Sequence, residues 1–186
     1  LYHIMGEVSA ELRRVGEARG SKVSRAEVEE NTFALAMLGE RITAGEYAYY
    51  RGRWNDLARR QGRFHQTYDC LLTPTVALAP FPIGDLQGTP GEQMMIKTLN
   101  RLRLGQLLKA NIEQLAEKVF GYMPYTPIAN MTGQPAMSVP LYWNDKDLPV
   151  GVMFTAAIYC EDILFRLAAQ LEQARPWMGK MADVGN

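Results

Sequence analysis

The chain has 186 residues, 47% of them hydrophobic, which suits one soluble α/β domain with a sizeable core. Lys plus Arg and Asp plus Glu both total 20 and the isoelectric point is about 6.9, so nothing supplies a basic face and nucleic acid is excluded as a partner. No apolar run reaches the roughly 20 residues that span a bilayer and no basic-then-apolar leader opens the chain, so no membrane partner is expected either.

Ile4, Val8, Leu12 and Val15 recur at helical spacing, which predicts an amphipathic helix from the first residue, closed by Gly16 and Gly20. Leu1 stands where a complete chain would carry Met, so the chain is expected to begin inside a longer polypeptide. Ser24-Arg25-Ala26-Glu27 reads as a capping box for a helix that carries Val28, Leu35, Leu38 and Ile42 and breaks near Gly39. Thr43 to Glu46 is a second box. Behind it Tyr47, Tyr50, Trp54, Leu57 and Phe64 form a stripe along a helix running to about residue 67. That stripe reads as core before it reads as a ligand box. Arg51, Arg53, Arg59, Arg60 and Arg63 line the other side as a solvated face, with an anion or partner site as the alternative.

The period then changes. Residues 68–74 are a short apolar run ended by Pro74, the pattern of a buried central strand. Prolines and glycines from 74 to 91 forbid regular structure there, and a loop of that length is functional or packs on another part of the protein. A Leu-rich helical stretch follows from 92 to 120, carrying Met95, Leu99, Leu102, Leu108, Ile112, Leu115 and Val119. Gly105 bends or splits it and Gly121 stops it. Its wide apolar side needs a large surface to pack on.

Beyond a loop studded with Pro124, Pro127, Gly133 and Pro135, the runs 136–143 and 150–157 flank a polar turn, Asn144 to Asp147. They predict a β-hairpin or two neighbouring buried strands. A last helix from about 161 to 174 buries Ile163, Leu164, Leu167, Ala168 and Leu171. Arg175-Pro176 ends it, and 179–186 form a frayed tail.

The inventory for chemistry is thin. The serines are Ser9, Ser21, Ser24 and Ser138, none in a nucleophile elbow, and Ser138 sits in an apolar strand as a satisfied core hydroxyl. His3 and His65, each on a helix, read as surface histidines, and no set of three or four metal ligands assembles around them. Cys70 and Cys160 lie in apolar surroundings, as buried reduced thiols of a cytoplasmic protein. No phosphate-binding or dinucleotide glycine pattern is present, and no cofactor is implied.

Several blocks together resemble one family. Tyr68-Asp69, Leu71-Leu72-Thr73-Pro74-Thr75, the run from Tyr125 to Pro140 with its Asn130, Gly133 and Pro135-Ala136-Met137-Ser138-Val139-Pro140, and Leu148-Pro149-Val150-Gly151-Val152 are similar, in this order, to the C-terminal portion of the amidase signature family. The helix over 161–177 resembles that family's closing helix. Phe81-Pro82-Ile83-Gly84 and Arg175-Pro176-Trp177 are similar to its 6-aminohexanoate-cyclic-dimer hydrolase branch.

The resemblance implies an α/β fold, part of an α/β/α arrangement with a mixed sheet flanked by helices. The whole chain is then a single C-terminal segment, helical over 1–67 and mixed over 68–177. It also implies an amide hydrolase whose nucleophilic Ser, second Ser on a cis peptide and Lys lie in an N-terminal Gly- and Ser-rich motif. That motif is missing here: no two serines are adjacent, and no catalytic residue carries over. Expected partners are the N-terminal amidase portion, a small-molecule amide substrate, and a second copy met through a bare sheet edge. Tyr125, Thr126 and Asn130 are the candidates for approaching substrate, against the alternative that Thr126 and Asn130 only tie down their own loop. Two other readings stay open: a non-catalytic module that docks through an apolar face, and an independent hydrolase using Cys160 or Ser138.

Overall fold

The computed structural model describes residues 1–180, with the backbone alone at 105, 106, 108, 110, 111 and 115. Leu108, Leu115 and the end of the expected tail lie outside the described side chains and residues. Two compact units are seen: Leu1–Arg53 with Ile83–Val119, and Trp54–Pro82 with the residues from Phe120 on.

In the first unit, α1 (Tyr2–Arg19) ends on Gly20, whose φ of 74° places it in the left-handed region that caps a helix. Gly16 does not close α1. It is buried inside the helix, where a side chain would meet the Ser21 carbonyl at 3.1 Å. The Ser24 box forms, with the Ser24 amide donating to Glu27 over 2.6 Å, yet it caps only a 3₁₀ turn, Arg25–Glu27. Helix α2 (Glu30–Gly39) begins afterwards. Gly39 lets the two helices touch: a Cβ there would strike the Met5 carbonyl group and sit 2.8 Å from Ser9 Cβ. Met5, Ala34 and Leu38 join Ile96 and Ile112 in the core of this unit.

The Thr43 box holds, with the Glu46 amide donating to the Thr43 hydroxyl over 3.2 Å, and opens α3 (Ala44–Phe64), three residues shorter than expected. None of its aromatic stripe is fully buried. Tyr47 instead stacks on His3 and donates to Glu7 over 2.5 Å, and Tyr50 stacks on Tyr2. The five arginines are exposed.

The stretch from 92 to 120 is two helices, α4 (Pro90–Arg101) and α5 (Gly105–Tyr122). The split lies just before Gly105, at Arg103, whose φ is 55°. Gly121 lies inside α5 rather than stopping it, because a glycine with helical φ ends nothing. Asn100 on α4 is 1% exposed and donates to the Glu30 carbonyl and carboxylate of α2 over 2.8 and 2.6 Å. The outer side of this stretch keeps Met94, Leu102 and Leu107 exposed.

The second unit holds a three-stranded antiparallel sheet in the order β1 (Cys70–Pro74), β3 (Pro149–Ala156), β2 (Ala136–Trp143). The expected hairpin is β2 and β3. Its turn is fixed by Asn144, whose side chain accepts from the amides of Lys146 and Leu148 over 3.0 and 2.9 Å. Within this chain β1 is an edge strand rather than the central one, since β3 pairs on both sides, and Leu72 on β1 is 61% exposed. Helix α7 (Glu161–Ala174) covers one sheet face. Leu164 is buried there with Val139, Phe154 and Ala156, and Leu167, Leu171 and Trp177 pack around them. Ile163 and Ala168 are only half-buried. Past α7, the Lys180 ammonium sits 4.5 Å from the Trp143 ring centroid. The chain is thus α/β, with helices and a small antiparallel sheet.

Candidate functional site

The candidate residues sit at a short helix whose entry is tied to the loop after β1 and whose exit is tied to the sheet. On the entry side, the Ala77 amide donates to the Tyr122 carbonyl over 2.8 Å, and Phe81 meets the Tyr122 ring edge-on at 4.4 Å between centroids. Pro127 then falls in the first turn of α6 (Thr126–Thr132), where a missing N–H costs nothing. On the exit side Gly133, with φ 74°, caps α6 in the left-handed region and donates to the Ala129 carbonyl over 2.9 Å.

Two buried polar side chains secure that exit. Thr132 and Gln134 are each 8% exposed. The single Thr132 hydroxyl proton lies between the Ile128 carbonyl, 2.9 Å away, and Gln134 Oε1, 3.0 Å away. Gln134 Nε2 donates to the Ala156 carbonyl over 3.1 Å, and the Ala156 amide donates back to Pro135 over 3.1 Å. The end of the central strand therefore grips α6. Sequence reasoning missed Thr132 and Gln134. The available signal was a pair of polar residues flanking a glycine just ahead of an apolar strand.

Thr126 and Asn130 are four residues apart on α6 and so share one helical face. Tyr125 precedes them at the N-cap position, half-buried, while Asn130 is exposed. Among the described residues, neither the Thr126 nor the Asn130 side chain hydrogen-bonds another group, so the loop is tied down by Thr132 and Gln134 instead.

Ser138 is satisfied, but not in the core. It is exposed on the side of β2 away from α7, its hydroxyl 2.6 Å from that of Thr75. Among the described residues its hydroxyl partner is Thr75 rather than a basic group. Burial, reinforced by Asp69, pushes the Cys70 thiol up, which keeps it neutral and a poor nucleophile. Both cysteines are free and half-buried against the sheet core. The histidines are half-buried rather than superficial. His65 lies in the turn after α3 with Nδ1 3.0 Å from the Tyr68 carbonyl, and His3 stacks on Tyr47. Among the described residues no group of three His, Cys, Asp or Glu side chains is placed to hold a metal ion, and no helix is long and apolar enough to cross a membrane.

Comparison with known proteins gives the family. The family model described as Amidase matches residues 11–165. The putative amidase AmiC of Mycobacterium leprae is 39% identical over 125 residues, which are 67% of this chain and 22% of that protein. The 6-aminohexanoate-cyclic-dimer hydrolase of Paenarthrobacter ureafaciens is 27% identical over 189 residues, 96% of this chain and 34% of that protein. A solved 6-aminohexanoate cyclic dimer hydrolase, in complex with its substrate, superposes with a TM-score of 0.68 at 27% identity, covering 93% of this chain and 33% of that one. The chain spans about a fifth to a third of the length of these relatives. With one family model running through both units and relatives that carry the same sheet and helices, the chain belongs to the amidase family.

Proposed function

We propose that this chain is the C-terminal part of a cytoplasmic amide hydrolase, supplying sheet strands and one wall of a pocket for a small-molecule amide. Tyr125, Thr126 and Asn130 form that wall. The acyl-transfer set, a nucleophilic Ser, a bridging Ser and a neutral Lys, is carried by polypeptide outside these 186 residues. One observation carries the reading. The polar side chains of Thr126 and Asn130 share a face of a helix clamped by other residues, and neither is used to hold the fold.

Purified alone, the chain is expected to hydrolyse neither simple aliphatic and aromatic amides nor 6-aminohexanoate cyclic dimer. Turnover of any of them at enzymatic rates would overturn the proposal. In the complete enzyme, Thr126→Ala and Asn130→Ala are expected to lower kcat/KM by about tenfold to a hundredfold, the loss of one or two substrate hydrogen bonds. Unchanged kcat/KM in both would remove these residues from the site.

A further inference from the structure

The anchors of α6 fix where it lies on the sheet of its own unit. It is entered at Tyr122, bonded to Ala77 in the loop after β1, and left at Gln134, bonded to Ala156 at the end of β3. Ala156 lies opposite Cys70, the start of β1, so the segment runs along the strands from one end to the other. Successive residues of a strand point to opposite faces. Phe154 and Ala156 join Val139 and Leu164 on the α7 side. Met153 and Thr155 point the other way and are still only 6% and 4% exposed, so that face is covered too. Ala129 of α6 is buried outside the cluster under α7, which puts α6 on the Met153 side.

Ser138 lies opposite Met153 and shares that face. Its exposed hydroxyl and the half-buried Thr75 hydroxyl, 2.6 Å apart, own two protons and use one in their mutual bond. With Thr75 as the donor, the Ser138 proton is left for an outside acceptor.

The surroundings are neutral. Residues 70–82, 120–144 and 148–160 supply the three strands, the loop after β1 and α6, and contain no Asp, Glu, Lys, Arg or His in a chain that is 22% charged. Burial accounts for this along the strands, but not at exposed positions such as Asn130, Ser138 and Tyr142. The hydrogen-bonding groups of these stretches therefore carry no formal charge.

Resting on the function proposed above, we infer that Ser138, oriented by Thr75, is a second hydrogen-bonding position of the α6 pocket, and that the substrate is an uncharged amide with a second carbonyl group remote from the scissile bond. Thr126 and Asn130 engage one polar group, and Ser138 donates to the other. A carboxylate or ammonium at that far end would be buried without a counter-charge, which costs far more than burying an amide.

Four six-carbon amides that differ only at the far end test this in the complete enzyme: hexanediamide, hexanamide, 6-aminohexanamide and the monoamide of hexanedioic acid. Hexanediamide is expected to give the highest kcat/KM, with hexanamide about tenfold lower for want of one hydrogen bond. The two charged amides should fall at least about tenfold further. Ser138→Ala is expected to lower kcat/KM about tenfold for hexanediamide and to leave hexanamide within about twofold, a split that a general loss of structure would not produce. Equal rates on hexanediamide and hexanamide, or a charged amide turned over as fast as hexanediamide, would overturn the inference and leave the proposed function standing. So would a Ser138→Ala variant that slows both neutral amides alike. Turnover of none of the four, nor of 6-aminohexanoate cyclic dimer, would remove the proposed function and this inference with it.

Discussion

The hydroxyls of Ser138 and Thr75 lie 2.6 Å apart, bonded across the backbone of Gly151. Three strands meet at this point, and only a residue without a side chain fits beneath the bond. A Cβ on Gly151 would sit 2.5 Å from Ser138 Oγ, 2.7 Å from Thr75 Oγ1 and 3.1 Å from Thr75 Cβ. Gly151→Ala is expected to destabilise the second unit by about 1–3 kcal/mol, measured by urea unfolding. Adding Ser138→Ala should return part of that loss, because the two changes share one contact. Simple additivity would show that the crowding lies elsewhere.

In the first unit the corresponding close approach is between Gly39 and Met5. A methyl group on Gly39 would run into the Met5 carbonyl, with Met5 C at 2.7 Å, so α1 and α2 must separate to admit it. Gly39→Ala is expected to cost about 3 kcal/mol despite the better helix propensity of Ala. Thermal unfolding followed by circular dichroism reads this directly. A neutral or stabilising result would mean that the helices re-pack freely.

The grip on α6 can be separated from its proposed contact with substrate. Gln134→Leu removes the bond to Ala156 and leaves Thr132 with one acceptor fewer. A cost of about 1–3 kcal/mol is expected, since the Ala156 carbonyl loses a donor where Gln134 is only 8% exposed. Thr126→Ala and Asn130→Ala should change stability by less than about 0.5 kcal/mol. Chemical denaturation of all three variants checks the contrast, and equal losses would return Thr126 and Asn130 to a tie-down role.

Three glutamates share one position and one response to acid. Glu27 is held well below the ordinary carboxylate range by Arg19 and then by Ser24. Glu46 and Glu92 are lowered by the backbone amides of Thr43 and Thr89, the residues that begin their helices. Each folded-state value lies below the ordinary one. The stabilisation is therefore complete above about pH 4.5 and is lost as pH falls through the lowered values. Gln at these positions keeps a capping bond but cannot titrate. The triple variant Glu27→Gln, Glu46→Gln, Glu92→Gln should thus show a flatter decline in Tm from pH 5 to pH 3, which a pH series of melting curves would resolve.

Local signals in the sequence located most elements. Apolar runs flanking the polar turn Asn144 to Asp147 marked the hairpin within a residue, because both strands and turn are written into neighbouring side chains. The capping boxes at Thr43 and Ser24 were likewise readable, though what followed Ser24 was not. Strand order was not local. Nothing between 68 and 74 says that β3 rather than β1 occupies the middle, since that depends on pairing with residues some eighty positions away. The roles of Gly16, Gly121 and Gly133 were hard to separate because glycine marks both left-handed caps and close packing. Thr126 and Asn130 were legible as polar residues in a recognisable motif. Thr132 and Gln134 were not, because burial of a Thr or Gln in a proline-rich loop leaves no periodic trace.

The clamp on α6 also bears on how costly recognition is. Thr132 and Gln134 anchor the helix to Ala156, a residue with no exposed surface at the end of the central strand. If the segment bearing Thr126 and Asn130 contacts substrate as proposed, it does so preorganised, its backbone entropy spent during folding rather than on binding. An amide settling against this helix would meet a rigid template, and the affinity it gains there would survive undiminished by any need to order the loop.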